Sequence, residues 1–317
     1  MAQLIINDPG MLSLIVDMGR SGYQHLGISE GGPADNYCYQ WANRLVCNHV
    51  NEACIEIVGQ GFTCTADSAC VIAITGAVTE ITVNDAKHSI WQSIELKSGD
   101  TVEITRADNG MRSYLAIQGG LLVEPVFGSK TTVMRDQLGG LYQNGVPLKP
   151  QDKIEITERL PLTHPQKAPP DAIPDHLSNM PIQVVEGYQQ GQFTDAQKAL
   201  FYGRSYCVEA NSNRMAIRLS GDPLVMQTHS LISEGITKGA IQIPPDGLPI
   251  VMLSDRQTVG GYPKLGSVLS VDCDRLAQMA PGTIIGFMPI DIHQAHNIIT
   301  LHRRRLETWY SALSPLT

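Results

Sequence analysis

The feature that most limits what this chain can fold into is a long succession of short apolar or alternating runs. They are Leu12 to Val16, Cys70 to Thr75, Glu80 to Val83, Thr101 to Thr105, Ser113 to Ile117, Lys153 to Ile156, Ile182 to Val185, Met215 to Leu219, Ala240 to Ile243, Pro249 to Leu253 and Ile284 to Phe287. Each is too short for a core helix, and turns rich in glycine or proline separate them at the spacing of sandwiches and barrels. The pattern predicts a mainly β protein with a few short helices. One helix is expected from Asp35 toward Asn48, because Cys38, Trp41, Ala42 and Leu45 recur at i, i+3, i+4 and i+7. A second starts at Thr194, where Gln197 completes capping-box spacing, and a third runs from Asp274 to Met279 before Pro281 and Gly282.

A length of 317 residues suggests two domains. Between Leu160 and Pro181 the chain turns proline-rich and loses its apolar period, so the expected division is an N-terminal β-barrel domain over residues 1–160, a linker over 161–181 and a C-terminal domain over 182–317. The halves echo each other: Asn43, Arg44 and Leu45 against Asn213, Arg214 and Met215, and Gly119 and Gly120 against Gly260 and Gly261. Duplication and chance similarity both account for this.

Charge narrows the partners. With 23 basic and 31 acidic side chains the net charge is −8, which argues against nucleic acid, and Arg303 to Arg305 read as a solvated helix face or tail. The seven cysteines form no CxxC pair and point to a reduced, cytoplasmic chain. Met11 to Val16 is short and closed by Asp17, which reads as a strand rather than a signal or a membrane span. Cys47, two residues before His49, is the one thiol with a hint of activation.

Familiar catalytic motifs are missing. Gly128, Ser129, Lys130 and Thr131 lack the earlier glycine of a phosphate loop, and Gly59 and Gly61 precede Phe62 and Thr63 rather than a helix opening. No serine-elbow motif is present, and His293 and His296 read as a surface helix pair rather than zinc ligands, so no metal is expected.

Two stretches do concentrate chemistry. From Ile243 to Pro263, a Pro-Asp-Gly turn and an apolar run deliver Asp255, Arg256, Gln257 and Thr258 just before Gly260, Gly261 and Tyr262. Charges at the end of a buried strand need partners, so an ion pair pinning the strand end and a binding role are both open. Near the N-terminus, Arg20, Tyr23, Gln24 and His25 lie among glycines, and Gly31, Gly32, Pro33 and Ala34 lead to Asp35 at the helix start. Arginine can hold a carboxylate in two-point fashion and His25 can move a proton near neutral pH. Equally, Arg20 can brace the loop and Asp35 can cap the helix.

Taken together, GRSGYQHLGISEGGPAD, ANRLVCN with the following Glu56, SNRMAIRLSG and SEGITKGAIQIPPDGLPIVMLSDRQTVGGYPKLGSVLS resemble the family of the 5-oxoprolinase C component, in consistent order from about Asp17 to about Phe287. That family is also described as allophanate hydrolase subunit 2, as biotin-dependent carboxyltransferase-like, and as antagonist of the Kip kinase inhibitor. The resemblance implies two cyclophilin-like β-barrel domains with a cleft between them. It also implies two partners, a Kip inhibitor-like B component and a lactam-utilisation-family A component, and opening of 5-oxoproline (pyroglutamate) to glutamate with ATP as co-substrate. On that basis Asp255 and His25 are expected to transfer protons and Arg256 or Arg20 to bind anionic groups. Tyr23, Gln24, Gln257, Thr258 and Tyr262 are expected to orient substrate, with Glu234 and Gln242 supporting them from behind. Asn43, Glu56 and Arg214 are expected to stabilise turns and strand ends.

The same resemblance extends to the carboxyltransferase part of urea carboxylase. No Met-Lys-Met biotinylation site or ATP-grasp region is present, so only the transfer half is expected there, acting on urea or a similar amide with carboxybiotin. A regulatory protein that binds a Kip-type inhibitor without chemistry of its own is the other alternative. Departures from the family pattern fall at Asp108 to Arg112 and Ser129 to Arg135.

Overall fold

The computed structural model describes residues 2–157, 164–225 and 231–313. The chain forms two compact units: Met1–Ser21, Gly31–His176 and Arg305–Thr317 make the first, and Gly22–Glu30 with Leu177–Arg304 make the second. Neither unit is a single sequence segment. The proline-rich stretch through His176 counts with the first unit, the glycine-framed loop 22–30 counts with the second, and Pro161 lies outside the described residues.

Unit 1 contains β1 (Gln3–Pro9), β2 (Leu12–Val16), α1 (Asn36–Leu45), β3 (Cys54–Val58), β4 (Phe62–Ala66), β5 (Cys70–Gly76), β6 (Val78–Val83), β7 (Ala86–His88), β8 (Ser93–Leu96), β9 (Thr101–Ala107), β10 (Arg112–Ile117) and β11 (Lys153–Glu155). They assemble as a six-stranded sheet, β11-β1-β4-β9-β6-β7, and a five-stranded sheet, β2-β3-β10-β5-β8. Leu4, Ile6, Phe62, Cys64 and Ile104 of the first sheet share one core with Ile15, Ile57, Ile74, Leu115 and Ile117 of the second. The period-2 geometry of a strand explains why β10 is buried along its whole length. Leu115 and Ile117 face that core, while Tyr114 and Ala116 join the cluster formed with α1.

Helix α1 buries the expected stripe of Cys38, Trp41, Ala42 and Leu45. Asp35 caps it, its side chain accepting the Cys38 backbone N–H at 3.0 Å. The helix stops at Leu45, short of Asn48, and Cys47 sits in the left-handed region at φ +56°, which a continuing helix cannot include. Trp41 packs edge-on to Trp91 and Tyr310, with ring centroids 6.2 and 4.9 Å away.

Unit 2 contains β12 (Ile182–Glu186), α2 (Asp195–Gly203), β13 (Ser205–Val208), β14 (Ala216–Ser220), β15 (Glu234–Gly235), β16 (Ala240–Gln242), β17 (Ile250–Met252), β18 (Val259–Gly260), β19 (Lys264–Val268), α3 (Ser270–Gln278) and β20 (Ile284–Ile290). Seven strands close a barrel in the order β12-β19-β16-β17-β14-β13-β20, and the parallel pairing of β12 with β20 joins its first and last strands. Closure leaves no edge among those strands. Val184, Phe201, Tyr206, Ile241, Val251, Leu265 and Phe287 fill the core. The expected capping box at Thr194 and Gln197 is formed. A mainly β architecture is therefore what the chain adopts, with complete closure in unit 2 and two sheets around one core in unit 1.

A long helix, α4 (Ile292–Ser311), follows, and its exposed face carries His293, His296 and Arg303 to Arg305. Among the described residues no helix is long and apolar enough to cross a membrane. The seven cysteines are free. Burial pushes the Cys47 thiol up despite nearby Arg44, the opposite of the lowering that activates a thiol.

Candidate functional site

Two buried networks in unit 1 fix the glycine-rich segments that precede and follow loop 22–30 in sequence. Asp17 accepts from Thr131 Oγ1 and from the backbone N–H of Lys130, both at 2.6 Å, as well as from Ser129 Oγ and the Gly19 N–H. Arg20 is 1 % exposed and donates to the carbonyls of Val126 at 3.0 Å and Thr131 at 2.6 Å. The guanidinium thus braces the 126–131 segment, more than 100 positions away, rather than its own loop. The Ser129 to Thr131 segment is the half of this network that wraps Asp17.

The second network centres on Glu56, which is fully buried. It accepts from the Ala34 N–H at 2.9 Å and from Tyr114 Oη at 2.8 Å, and Arg112 Nε stands 3.7 Å away. Tyr114 Oη also accepts the Asp35 N–H at 2.8 Å. Burial, reinforced by Glu56, holds the Tyr114 hydroxyl protonated. Glu56 therefore fixes the chain entering α1, in line with the stabilising role expected of it.

In unit 2, Asp255 and Arg214 form a two-point ion pair: Nε to Oδ2 at 2.8 Å and Nη2 to Oδ1 at 2.9 Å, with both side chains 4 % exposed. The charge at the strand end is met by Arg214 from the neighbouring β14 approach, not by Arg256. Both oxygens of Asp255 are engaged, so the geometry gives Asp255 a structural task. Arg256 does something different. Its Nε donates to Ile236 O at 3.0 Å, its Nη1 to Leu253 O at 3.3 Å and its Nη2 to Glu30 at 2.8 Å, while its own carbonyl accepts from Ser29 Oγ at 3.0 Å. One arginine thereby anchors loop 22–30 to the segment that contains Gln257, Thr258 and Tyr262.

That loop holds His25 in a defined state. Its Nδ1 lies 2.9 Å from Gly22 O. A carbonyl can only accept, so Nδ1 is the donor in this contact. His25 is exposed, Tyr23 and Gln24 are half-buried, and Gln24 Oε1 accepts the Gly22 N–H at 3.1 Å. On the other side, Gln257 and Thr258 are half-buried and Tyr262 is 46 % exposed.

The expected supporting residues Glu234 and Gln242 belong to a polar cluster that the sequence did not fully disclose. β15 pairs with β18, setting Glu234 opposite Gly260. Lys264 Nζ lies 2.6 Å from Glu234 and donates to Gly235 O at 3.0 Å. Gln189 bonds Glu234 and accepts the Lys264 N–H at 2.8 Å, while the Lys264 ammonium sits 5.5 Å from the Tyr188 ring centre. Gln242 is 2 % exposed, and its Nε2 has no hydrogen-bond partner among the described residues. A Cβ on Gly260 would stand 2.8 Å from that nitrogen, so the glycine lets the backbone pass next to the amide.

Lys264, Gln189 and Tyr188 are the residues that sequence reasoning missed. Lys264 directly follows the GGYP run and was within reach, whereas Tyr188 and Gln189 sit in a loop with no local signal.

A pH prediction follows from the Lys264 and Glu234 pair. The Lys264 hydrogen bond, with help from Tyr188, holds the Glu234 carboxyl below the usual glutamate range. Burial would lower the Lys264 ammonium, but its bonds to Glu234 and Tyr188 outweigh this and raise it. A depressed folded-state carboxylate stabilises above its unfolded value of about 4.3 and loses that contribution as pH falls through the folded value. Glu234→Gln should therefore flatten the Tm profile below about pH 4.3 relative to wild type. Superimposable acid limbs would remove the pair from the stability account.

The chain thus combines a closed β-barrel unit, with a polar cluster beside its glycine-rich turn, and a unit of two sheets around one core. The profile described as carboxyltransferase domain, subdomain A and B, matches residues 26–289, and the chain belongs to that family. It is 33 % identical over 289 residues to the C component of the Escherichia coli (strain K12) 5-oxoprolinase, covering 90 % of this chain and 91 % of that one. It is 28 % identical over 310 residues to the urea amidolyase of Saccharomyces cerevisiae, covering 92 % of this chain but 17 % of the relative. The solved Kluyveromyces lactis urea carboxylase superposes with a TM-score of 0.87 at 26 % identity, over 99 % of this chain and 30 % of that one. The chain thus spans less than a third of either urea enzyme.

Proposed function

We propose that this chain is one subunit of an ATP-dependent 5-oxoprolinase that opens 5-oxoproline to glutamate together with a Kip inhibitor-like B component and a lactam-utilisation-family A component. The observation that carries the reading is the match to a 5-oxoprolinase C component over about nine-tenths of both chains, 90 % and 91 %. The urea enzymes share the fold but carry most of their length outside this match.

The site chemistry suits a small lactam bearing a carboxylate. The Lys264 ammonium and the exposed His25 supply positive charge and a proton-transfer group, and the buried Gln242 Nε2 is a donor in want of an acceptor such as a lactam carbonyl. Gln257, Thr258 and Tyr262 supply further polar contacts, and Arg256 keeps loop 22–30 in register with them. An unactivated lactam resists water, so phosphorylation of its oxygen by ATP, followed by hydrolysis, is a reasonable route. The ATP site is assigned to the complex, not to a motif of this chain, and no covalent biotin is proposed here.

Glutamate release from 5-oxoproline by the mixed components, with and without this chain, tests the proposal. The urea carboxylase likeness favours a second reading, carboxyl transfer from carboxybiotin to urea or a similar amide. A carboxybiotin carrier supplied in place of ATP separates the two: labelled carboxyl appearing on urea supports transfer, and none supports the lactam reading.

A further inference from the structure

We propose that Asp35, Cys38 and His176 in unit 1 bind a zinc ion, a site independent of the function proposed above. One donor atom from each, a carboxylate oxygen, Sγ and an imidazole nitrogen, lies within 4.8 Å of the other two. Cys38 Sγ stands 3.6 Å from His176 Nε2. Zinc bonds of about 2.3 Å to sulfur and 2.0–2.1 Å to nitrogen at a tetrahedral angle give a sulfur-to-nitrogen edge of about 3.6 Å. The thiol and imidazole are already at that spacing.

The three donors converge from distant parts of the sequence and are held there. Asp35 and Cys38 are placed by the first turn of α1, where Asp35 Oδ1 accepts the Cys38 N–H. A carboxylate offers about four lone-pair sites, so capping is compatible with coordination. The chain at His176 is positioned from outside the helix: the His176 backbone N–H donates to Asn109 Oδ1 at 3.2 Å, and Asn109 Nδ2 donates to Pro174 O at 3.2 Å. Tyr37 Oη donates to Ala172 O at 2.6 Å, tying the same segment to α1. Exposures of 1 % for Asp35, 0 % for Cys38 and 9 % for His176 place the three donors below the surface.

Donor chemistry selects the ion. One thiolate, one imidazole and one carboxylate suit zinc better than magnesium or calcium, which take oxygen ligands. Three protein ligands leave the fourth position to a water. Coordination would fasten the residue-176 end of the proline-rich segment to the start of α1, adding to the Asn109 and Tyr37 bonds.

The experiment uses the purified full chain, freed of metal and titrated with Co2+ as a spectroscopic stand-in for zinc, with elemental analysis of the zinc-reconstituted protein. The expected result is one ion per chain, an intense thiolate-to-cobalt charge-transfer band, and visible bands of tetrahedral strength. Cys38→Ser should abolish the charge-transfer band, His176→Gln should weaken binding, and Cys64→Ser should leave both unchanged. The wild-type chain decides the matter even if a variant misfolds. Folded wild type that binds well below one ion, or binds cobalt without the thiolate band, would overturn the proposal and leave the contact as a thiol-imidazole hydrogen bond.

Discussion

Asp255→Ala should lower unfolding free energy by about 3–5 kcal/mol, the cost of leaving one member of a buried ion pair behind. Arg214 and Asp255 are 4 % exposed and joined at 2.8 and 2.9 Å, so the variant removes the two-point counter-charge of a buried guanidinium. Removing both charges is a different experiment. Arg214→Met together with Asp255→Leu should recover most of the loss, because buried pairs replaced by apolar groups of similar volume are often neutral or better. Denaturant unfolding followed by far-ultraviolet circular dichroism checks both. If Asp255→Ala keeps full stability and abolishes turnover, Asp255 is a proton-transfer residue and its structural assignment here fails.

Arg256→Lys should cost the reconstituted enzyme about 100-fold in turnover, the penalty expected when catalytic groups shift by about 1 Å. The guanidinium makes three divergent bonds, to Ile236 O, Leu253 O and Glu30, which a single ammonium on a flexible stem cannot reproduce. Charge is kept, so long-range attraction of an anionic substrate survives. What is lost is the register between the loop bearing His25 and the segment bearing Gln257, Thr258 and Tyr262. Measuring kcat and Tm on the same preparation separates this from general damage: kcat should fall far more than stability. Equal activity in Arg256→Lys would mean that loop 22–30 needs no such anchor.

Local pattern carried much of the architecture, for reasons visible in particular residues. The short apolar run of β10 and the 3.6-residue stripe of α1 are local signals, and the Thr194 and Gln197 cap is written in four consecutive positions. Membership of the two units was less legible, since it depends on contacts distant in sequence, such as Arg256 with Glu30. Helix α4 was legible only in pieces, as the His293 and His296 pair and the helix face or tail at Arg303 to Arg305, because its exposed surface carries apolar residues such as Ile299 and Leu301 among its charges, which blurs a single stripe.

Candidate-site chemistry was half legible. Charged residues beside glycines stood out, but sequence does not say which partner a charge will find. Asp255 meets Arg214 across 41 positions, and Arg20 meets carbonyls more than 100 positions away. Lys264, Gln189 and Tyr188 join Glu234 through strand pairing and a loop that no motif marks. The Cys38 and His176 contact spans 138 positions and was equally silent.

The most direct measurement is glutamate formation from 5-oxoproline and ATP by the two purified partner components, with this chain added or withheld. The account predicts that turnover appears only when the chain is present and that ADP accumulates in step with glutamate. Equal glutamate formation without the chain would contradict its assignment as a required component.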